Sequence, residues 1–579
     1  MPFAGIVPEG LRRDHPAGVT EDKLASGIEE GFLMQGLMMD MPLLISGLLQ
    51  HAERHHADTE IVSKTVDGSV HRYTYRDAHR RARKLANALN RLGVQPGERI
   101  ATLAWNSYRH FEIYYAVAGS GAVIHTINPR LFPEQISYIA NHAEDRFIFF
   151  DLTFAPLIEK LAPLLKTVKG YVAMCGRDAL PKAAIPHLLC YEDLVEKEKD
   201  DFEWPSFDER TAACLCYTSG TTGNPKGALY SHRSTMLHAF GAALPDALNV
   251  SAREVVLPVV PMFHVNAWSL PYSCAMVGAK MVFPGPHLDG KSVYQLFETE
   301  GVTMSAGVPT VWLALLNYMK ENKLRFSTLK RTVIGGSACP PAMLKAFQDD
   351  YGVQVLHAWG MTEMSPLGTV GTFKSKHAKA SKDVRDALQY KQGRAIYGVD
   401  MRIIGEDGKE LPWDGKAFGD LQVRGPWVIE SYFKGEGGDP LKTDEHGTKW
   451  FPTGDVATID PDGVMQITDR SKDVIKSGGE WISSIDLENI AMAHPAVAEA
   501  AVIGIRHPKW DERPIVVAVK KPGQEVTRED VLKFYEGKIA KWWMPDDVVF
   551  VAELPHTATG KLSKLTLRQQ LKDYRFPAG

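Results

Sequence analysis

Apolar residues recur along the chain in two periods. Over residues 75–92, Ala78, Ala82, Leu85, Ala86, Leu89 and Leu92 return every three or four positions, which places them on one stripe of a helix. Thr74 stands where a hydroxyl can cap the free amides, and Gly93 stands where a helix ends. A strand is predicted at 99–103, and short apolar runs at 147–150, 255–259, 280–283, 303–306, 332–334 and 353–356 alternate with amphipathic stretches. That alternation predicts α/β architecture with substantially parallel sheets. From about residue 395 the texture changes to short strands at 401–404, 419–423 and 464–468 between Gly-rich turns, a smaller β-rich section. After Asp469-Arg470 a further pattern predicts a helix at 485–492, strands at 498–505 and 515–520, and a helix at 527–539. The expected organisation is an extension over 1–45, a large domain over 46–469 with two α/β sheets and the β-rich section, and a small α+β domain over 470–579. No period of about 20 to 50 residues signals a repeat architecture.

Composition narrows the classes. Hydrophobic residues make up 44% and charged residues 23%, with no apolar run long enough to cross a bilayer, so a soluble chain without a transmembrane segment is expected. Lys and Arg number 66 against 70 Asp and Glu, a net charge of -4, which offers no basic field for a nucleic-acid partner. Cys175, Cys190, Cys214, Cys216, Cys274 and Cys339 are too dispersed for a disulfide framework or a Cys/His metal site, and they suit a reducing, cytoplasmic location. Cys214 and Cys216 alternate on one face of an apolar run, where a thiol behaves as a small hydrophobe. The first residues lack a basic stretch followed by an apolar one, so no secretory signal is expected. The Met-rich piece at 32–39 reads as a short buried helix, with a docking segment as the alternative.

Chemistry concentrates in Tyr217-Thr218-Ser219-Gly220-Thr221-Thr222-Gly223-Asn224-Pro225-Lys226-Gly227, directly after the apolar run at 212–216. Small residues let backbone amides approach phosphate oxygens, four hydroxyls add donors, and Lys226 brings a mobile positive charge. A polyphosphate cradle follows. It is not a G-x-x-x-x-G-K-[ST] loop, since Pro225 precedes the lysine and Gly227 follows it, which disfavours phosphoryl-transfer ATPases.

This loop resembles the phosphate-binding signature of the acyl-adenylate-forming (AMP-binding) superfamily. Four more motifs stand in the expected order: His357-Ala358-Trp359-Gly360-Met361-Thr362-Glu363, Thr453-Gly454-Asp455, Asp469-Arg470-Ser471-Lys472-Asp473, and the segment 555–561 ending at Lys561. The stretches 260–268 and 477–482 are similar to those of the fatty acyl-CoA synthetase branch that holds the thermophilic long-chain enzyme and the medium-chain and methylthiopropionate-CoA ligases.

The resemblance implies an ATP-dependent acyl-CoA synthetase, AMP- and pyrophosphate-forming, with ATP, Mg²⁺ and coenzyme A as its small molecules. It implies that Lys561 neutralises charge at the α-phosphorus while Lys226 and residues 218–223 hold the leaving pyrophosphate. Glu363 and Thr218 would hold Mg²⁺, and Thr362 would reach the α-phosphate. Asp455 is expected on the ribose hydroxyls with Arg470 beside it, and Trp359, where the family usually carries tyrosine, on adenine. Gly336, His357, Ala358 and Gly360 are expected around the purine, His264 and Val265 at the junction of acyl and nucleotide sites, and Trp268 as gate of an acyl tunnel. Lys472, Lys476 and Trp481 resemble nucleotide-side residues of the adenylating conformation. Rotation of a mobile small domain about Lys472 would bring Ser477, Gly478 and Gly479 in to line a coenzyme A channel. Relatives in this branch include homodimers.

Medium- and long-chain fatty acids lead as substrates, ahead of short thioether, aryl-propanoic and other degradative acids. Two alternatives differ more. A luciferase-like or carrier-loading enzyme would change the acceptor, and a nucleotide-binding scaffold would catalyse nothing.

Overall fold

The structure is a computed structural model and describes residues 36–218, 224–377, 379–478, 480–556 and 562–576, without the side chains of Glu480 and Trp481. Two α/β sheets carry the large domain. The first has seven strands in the order Leu188–Cys190, Gly170–Ala173, Asp145–Phe150, Arg99–Leu103, Val123–Thr126, Ala212–Tyr217 and Gly227–Ser231, all parallel neighbours except the last pair. The second has nine. Its parallel centre runs Gln354–Gly360, Arg331–Ile334, Met304–Gly307, Val255–Pro258, Lys280–Phe283 and Glu60–Lys64, and antiparallel strands close both edges. The strands are buried on both faces, as helix-covered parallel sheets require, which is why they read as continuous apolar runs.

The helix Tyr75–Arg91 matches its prediction, and its start is over-determined. Thr74 and Asp77 form a reciprocal capping box, and Gly93 at φ 77° follows the C-terminal turn. The β-rich section is a five-stranded sheet built on Lys449–Ile459, with Asp400–Ile404, Phe418–Arg424, Lys442–Thr443 and Met465–Arg470 around it. The small domain is a second five-stranded sheet, Glu480–Ile482, Ile475–Ser477, Asp511–Lys520 and Val497–His507 with Asp547–Phe550 parallel on the long central strand. Helices Ser484–Met492, Arg528–Tyr535 and Lys564–Gln570 cover it.

Two expectations change. The helix predicted over 527–539 spans only Arg528–Tyr535, because Glu536 leaves helical dihedrals and Gly537 takes φ 74°. The Met-rich segment is no buried helix in its described part: Leu37, Met38 and Met39 are 98%, 86% and 87% exposed.

Candidate active site

The cavity that matters, about 860 Å³, opens where parallel strands of both sheets end and where the β-rich section and the small domain meet them. Thr218 follows the Ala212–Tyr217 strand, Gly335 and Gly336 follow Arg331–Ile334, and Ala358 to Glu363 continue the Gln354–Gly360 strand. Sites in open α/β sheets form at such carboxyl ends, where loops diverge and backbone groups point outward. Gly336 sits at φ 81°, a conformation that strains residues with a side chain.

At one end lies a cation. Lys226 lies with its ammonium 4.9 Å from the centre of the Tyr432 ring, and its backbone is tied to Thr218 twice: the Thr218 N–H donates to the Lys226 carbonyl at 2.9 Å and the Lys226 N–H to the Thr218 hydroxyl at 3.0 Å. This antiparallel clamp holds the ends of the hydroxyl-rich loop together. The loop residues Ser219, Gly220, Thr221, Thr222 and Gly223 lie outside the described residues.

Glu363 is 8% exposed and lines the same cavity. The Tyr432 hydroxyl donates to its Oε1 at 2.8 Å, and burial together with that carboxylate pushes the phenol well above its ordinary range. Glu363, with the Thr218 hydroxyl, is an oxygen-only donor set of the kind Mg²⁺ accepts, so the residues present fit that ion. Thr362 is anchored through its carbonyl, which accepts from the Tyr230 hydroxyl at 2.5 Å.

The other end is aromatic and acidic. Trp359, 7% exposed, donates its indole N–H to Asp455 Oδ2 at 3.0 Å, and Arg470 holds Oδ1 at 2.9 Å. Asp455 is 2% exposed and acts from behind the wall that Trp359, Thr453, Gly454 and Arg470 form. Glycine is required opposite the indole: a Cβ at Gly368 would lie 2.6 Å from the Trp359 ring.

His264, Val265 and Trp268 line the remaining wall, and a Cβ at Gly335 would come within 3.1 Å of the Trp268 ring. Lys472 also lines the cavity, its pKa lowered by burial.

Other predicted residues fall elsewhere. His357 is 2% exposed and does not line the cavity. Its Nδ1–H donates to the Tyr390 carbonyl at 3.0 Å and its Nε2 accepts from the Cys339 N–H at 3.3 Å, so the ring braces two loops, and burial lowers its pKa to about 4. Lys476, Ser477 and Gly478 also lie off the cavity; Gly478 N–H donates to the Trp510 carbonyl at 2.8 Å and Arg513 donates to the Ser477 hydroxyl at 3.2 Å. Gly479, Lys561 and the side chain of Trp481 are outside the described residues.

Sequence reasoning missed Tyr432, Glu436, Lys564 and Arg568, all of which line the cavity. Lys564 pairs with Glu488 at 2.7 Å and donates to Ser484 at 2.5 Å; burial works against its charge, but Glu488 and then Asp469 outweigh burial and raise its pKa. Nothing local marks these residues, since each acts through partners tens or hundreds of positions away.

Against known proteins, the AMP-binding enzyme model matches residues 48–433, and the AMP-binding enzyme C-terminal domain matches 486–561. The chain is 55% identical over 540 residues to a 3-methylmercaptopropionyl-CoA ligase of Ruegeria lacuscaerulensis, covering 93% of this chain and 99% of that one. It is 52% identical over 540 residues to a medium-chain-fatty-acid–CoA ligase of Ectopseudomonas oleovorans, covering 93% and 98%. Among solved structures, an anthranilate CoA ligase in complex with anthranoyl-AMP superposes with a TM-score of 0.79 at 25% identity, covering 92% of this chain and 98% of that one. With nearly full-length matches at this identity and both domain models in register, the chain belongs to the AMP-binding enzyme family.

Proposed function

We propose that the chain is an ATP-dependent acid–thiol ligase that activates an apolar carboxylic acid as its acyl-adenylate and passes the acyl group to coenzyme A. One observation carries this reading: Lys226, Glu363, Trp359 and Arg470 surround a single cavity that Trp268 borders, with Asp455 bonded to Trp359 and Arg470 just behind the wall. A cation, an acid with one oxygen restrained and an aromatic–acidic end are what a triphosphate, its counter-ion and a nucleoside each need.

In the first half-reaction a carboxylate oxygen of the substrate attacks the α-phosphorus, a C–O–P linkage forms and the bond to the β-phosphate breaks, releasing pyrophosphate. Lys226 neutralises the departing group, and Lys561 serves the α-phosphorus. Glu363 and Thr218 would hold Mg²⁺, which when bound supplies positive charge against the phosphate oxygens. In the second half-reaction the thiol sulfur attacks the carbonyl carbon and loses its proton to water, a C–S bond forms, and the C–O bond to the phosphate breaks to release AMP. Residues 46–469 form the adenylating domain and 470–579 the moving one; rotation about Lys472 exchanges Lys561 for the segment 477–479.

A medium- or long-chain fatty acid leads as substrate. A short thioether acid is the second reading, favoured by the 55% identity to a 3-methylmercaptopropionyl-CoA ligase. A homodimer and a cytoplasmic location complete the proposal; the six cysteines, all buried as free thiols, suit reducing surroundings.

The test is coenzyme A-dependent AMP release over a panel of fatty, thioether and aryl-propanoic acids. Release with an apolar acid supports the reading, and no pyrophosphate release with any acid refutes it. For Lys561, the alanine variant is expected to lose acyl-adenylate formation while keeping most thioester formation from supplied acyl-adenylate. Equal loss of both steps removes that role.

A further inference from the structure

Five consecutive non-glycine residues, Val265, Asn266, Ala267, Trp268 and Ser269, have φ between 46° and 66°. Left-handed backbone is disfavoured for L-residues, and most for a β-branched one such as Val265, so a run of this length persists only where its surroundings dictate it. Backbone bonds supply part of the constraint: the Ala267 N–H reaches the Pro261 carbonyl at 3.2 Å and the Ser269 N–H reaches the Asn266 carbonyl at 3.0 Å.

The side chain of Asn266 adds to it. It is 3% exposed, and asparagine is among the non-glycine residues that best tolerate this conformation. Its amide oxygen lies 3.2 Å from the Cys214 sulfur and 3.3 Å from the Tyr114 hydroxyl, and its amide nitrogen lies 3.1 Å from the same sulfur. Tyr114 gives its single phenol proton mainly to the Met262 carbonyl at 2.5 Å and shares it with the Asn266 amide oxygen, so one tyrosine ties the segment just before the turn to the turn's second residue. Both partners are wholly buried, Tyr114 on the helix Tyr108–Gly119 and Cys214 on the strand Ala212–Tyr217. Cys214 is therefore more than the small hydrophobe expected from the sequence.

We propose that Asn266 is a specificity-determining positioning residue: anchored on Tyr114 and Cys214, its amide holds the left-handed turn that aims Trp268 at Gly335, and so sets which acyl chains the cavity admits. The inference rests on the reading that Trp268 borders the acyl path, and it adds what keeps Trp268 there. Without the amide, the turn loses its side-chain anchor and relaxes toward ordinary dihedrals. Such a change re-aims an indole two residues on while leaving Lys226, Glu363 and Asp455 untouched.

The experiment compares Asn266→Ala, Asn266→Gly and Trp268→Ala in the full-length chain. It measures kcat/KM for butanoate, octanoate and dodecanoate, and KM for ATP. Asn266→Gly guards against misfolding, since glycine adopts the left-handed turn without strain and lacks only the amide. The expected result is that both Asn266 variants flatten the ratio between best and worst acid by about tenfold, as Trp268→Ala does, with KM for ATP within about twofold of the parent. If Trp268→Ala flattens the ratio while both Asn266 variants keep it, or lower kcat/KM equally for every acid, the inference is overturned and the gate stands. If Trp268→Ala itself leaves the acyl profile unchanged, the gate reading fails and the inference falls with it.

Discussion

Tyr432→Phe isolates one atom of the site. The phenyl ring remains under Lys226, 4.9 Å from its ammonium, and only the hydroxyl that donates to Glu363 Oε1 at 2.8 Å is lost. A hydrogen bond to a charged group contributes about 1.5–3 kcal/mol net, and a half-buried donor such as Tyr432 belongs at the lower end, so the expected loss is about tenfold in the step that needs an oriented carboxylate. The assay is ATP–pyrophosphate exchange at saturating acid across a Mg²⁺ titration, alongside thioester formation from supplied acyl-adenylate. Exchange should fall about tenfold and need more Mg²⁺ for half its maximum, while the thioester step stays within about twofold. Tyr432→Leu, which also removes the ring beneath Lys226, should lose about a further threefold, the size of an exposed cation–π contact. Full exchange activity at unchanged Mg²⁺ demand in the Phe variant would show that the hydroxyl does not orient Glu363. Equal losses in both half-reactions would point to general damage.

Other predictions concern stability. Lys564→Met leaves Glu488 buried without its cation, at a cost of about 3–5 kcal/mol in urea unfolding, and adding Glu488→Gln should recover part of it, because the Gln oxygen can still accept from the Val502 N–H. No recovery in the double variant would disprove the pairing. His238 accepts from the Leu367 N–H at 3.0 Å and burial holds its pKa near 3, a depressed value, so its stabilising contribution is complete above the ordinary 6.5 and is lost as pH falls below it. Between pH 7 and pH 5 it should account for about 2 kcal/mol of lost stability, and His238→Gln should shrink the pH dependence by that amount. His110 and His357, held at about 4 by burial, add losses of the same sign, while Asp151, raised to about 7 by burial, opposes them, so the deciding quantity is the variant's change: an unaltered pH dependence in His238→Gln would contradict the assignment.

Much of the fold was legible because local and global demands agree. The Tyr75–Arg91 helix has its stripe, cap and stop within twenty residues, and strands buried on both faces advertise themselves as apolar runs. The hydroxyl-rich loop stood out for a similar reason, as its residues are consecutive, and its described ends, Thr218 and Lys226, line the cavity. Tyr432 was not, because its meaning depends on Glu363, 69 positions away. Lys564 likewise is paired with Glu488 across the small domain, and a lysine on a short helix otherwise reads as solvated surface. The left-handed turn at 265–269 contradicts local preference outright. Val, Ala and Trp at those positions signal nothing of the kind, and only buried partners from distant elements impose it. His357 shows the converse, a motif position whose side chain turns away from the cavity to brace backbone.

The seam between the two domains bears on the proposed rotation. Among the described residues no apolar cluster spans the seam: the small domain has one around Ile475, Val502 and Tyr535 and one around Ile503, Ile515 and Leu567, and the large domain has three of its own. Polar links join the parts instead. Asp469 accepts from the Ser484 N–H at 2.7 Å, the Ser483 hydroxyl donates to the Thr468 carbonyl at 2.6 Å, and Lys476 pairs with Glu406 at 3.4 Å. The last is exposed on both sides and contributes little. Polar groups can exchange such bonds for water, whereas a shared core would have to be exposed, so a seam of this composition favours relative motion. Lys564 and Glu488 sit on the same side of the seam and would travel together, carrying residues 562–568 away from the cavity as one body. A turn of that body about Lys472 would free the mouth for the Ser477–Gly478 turn, which is braced from within the small domain by Trp510 and Arg513 and so would arrive preformed.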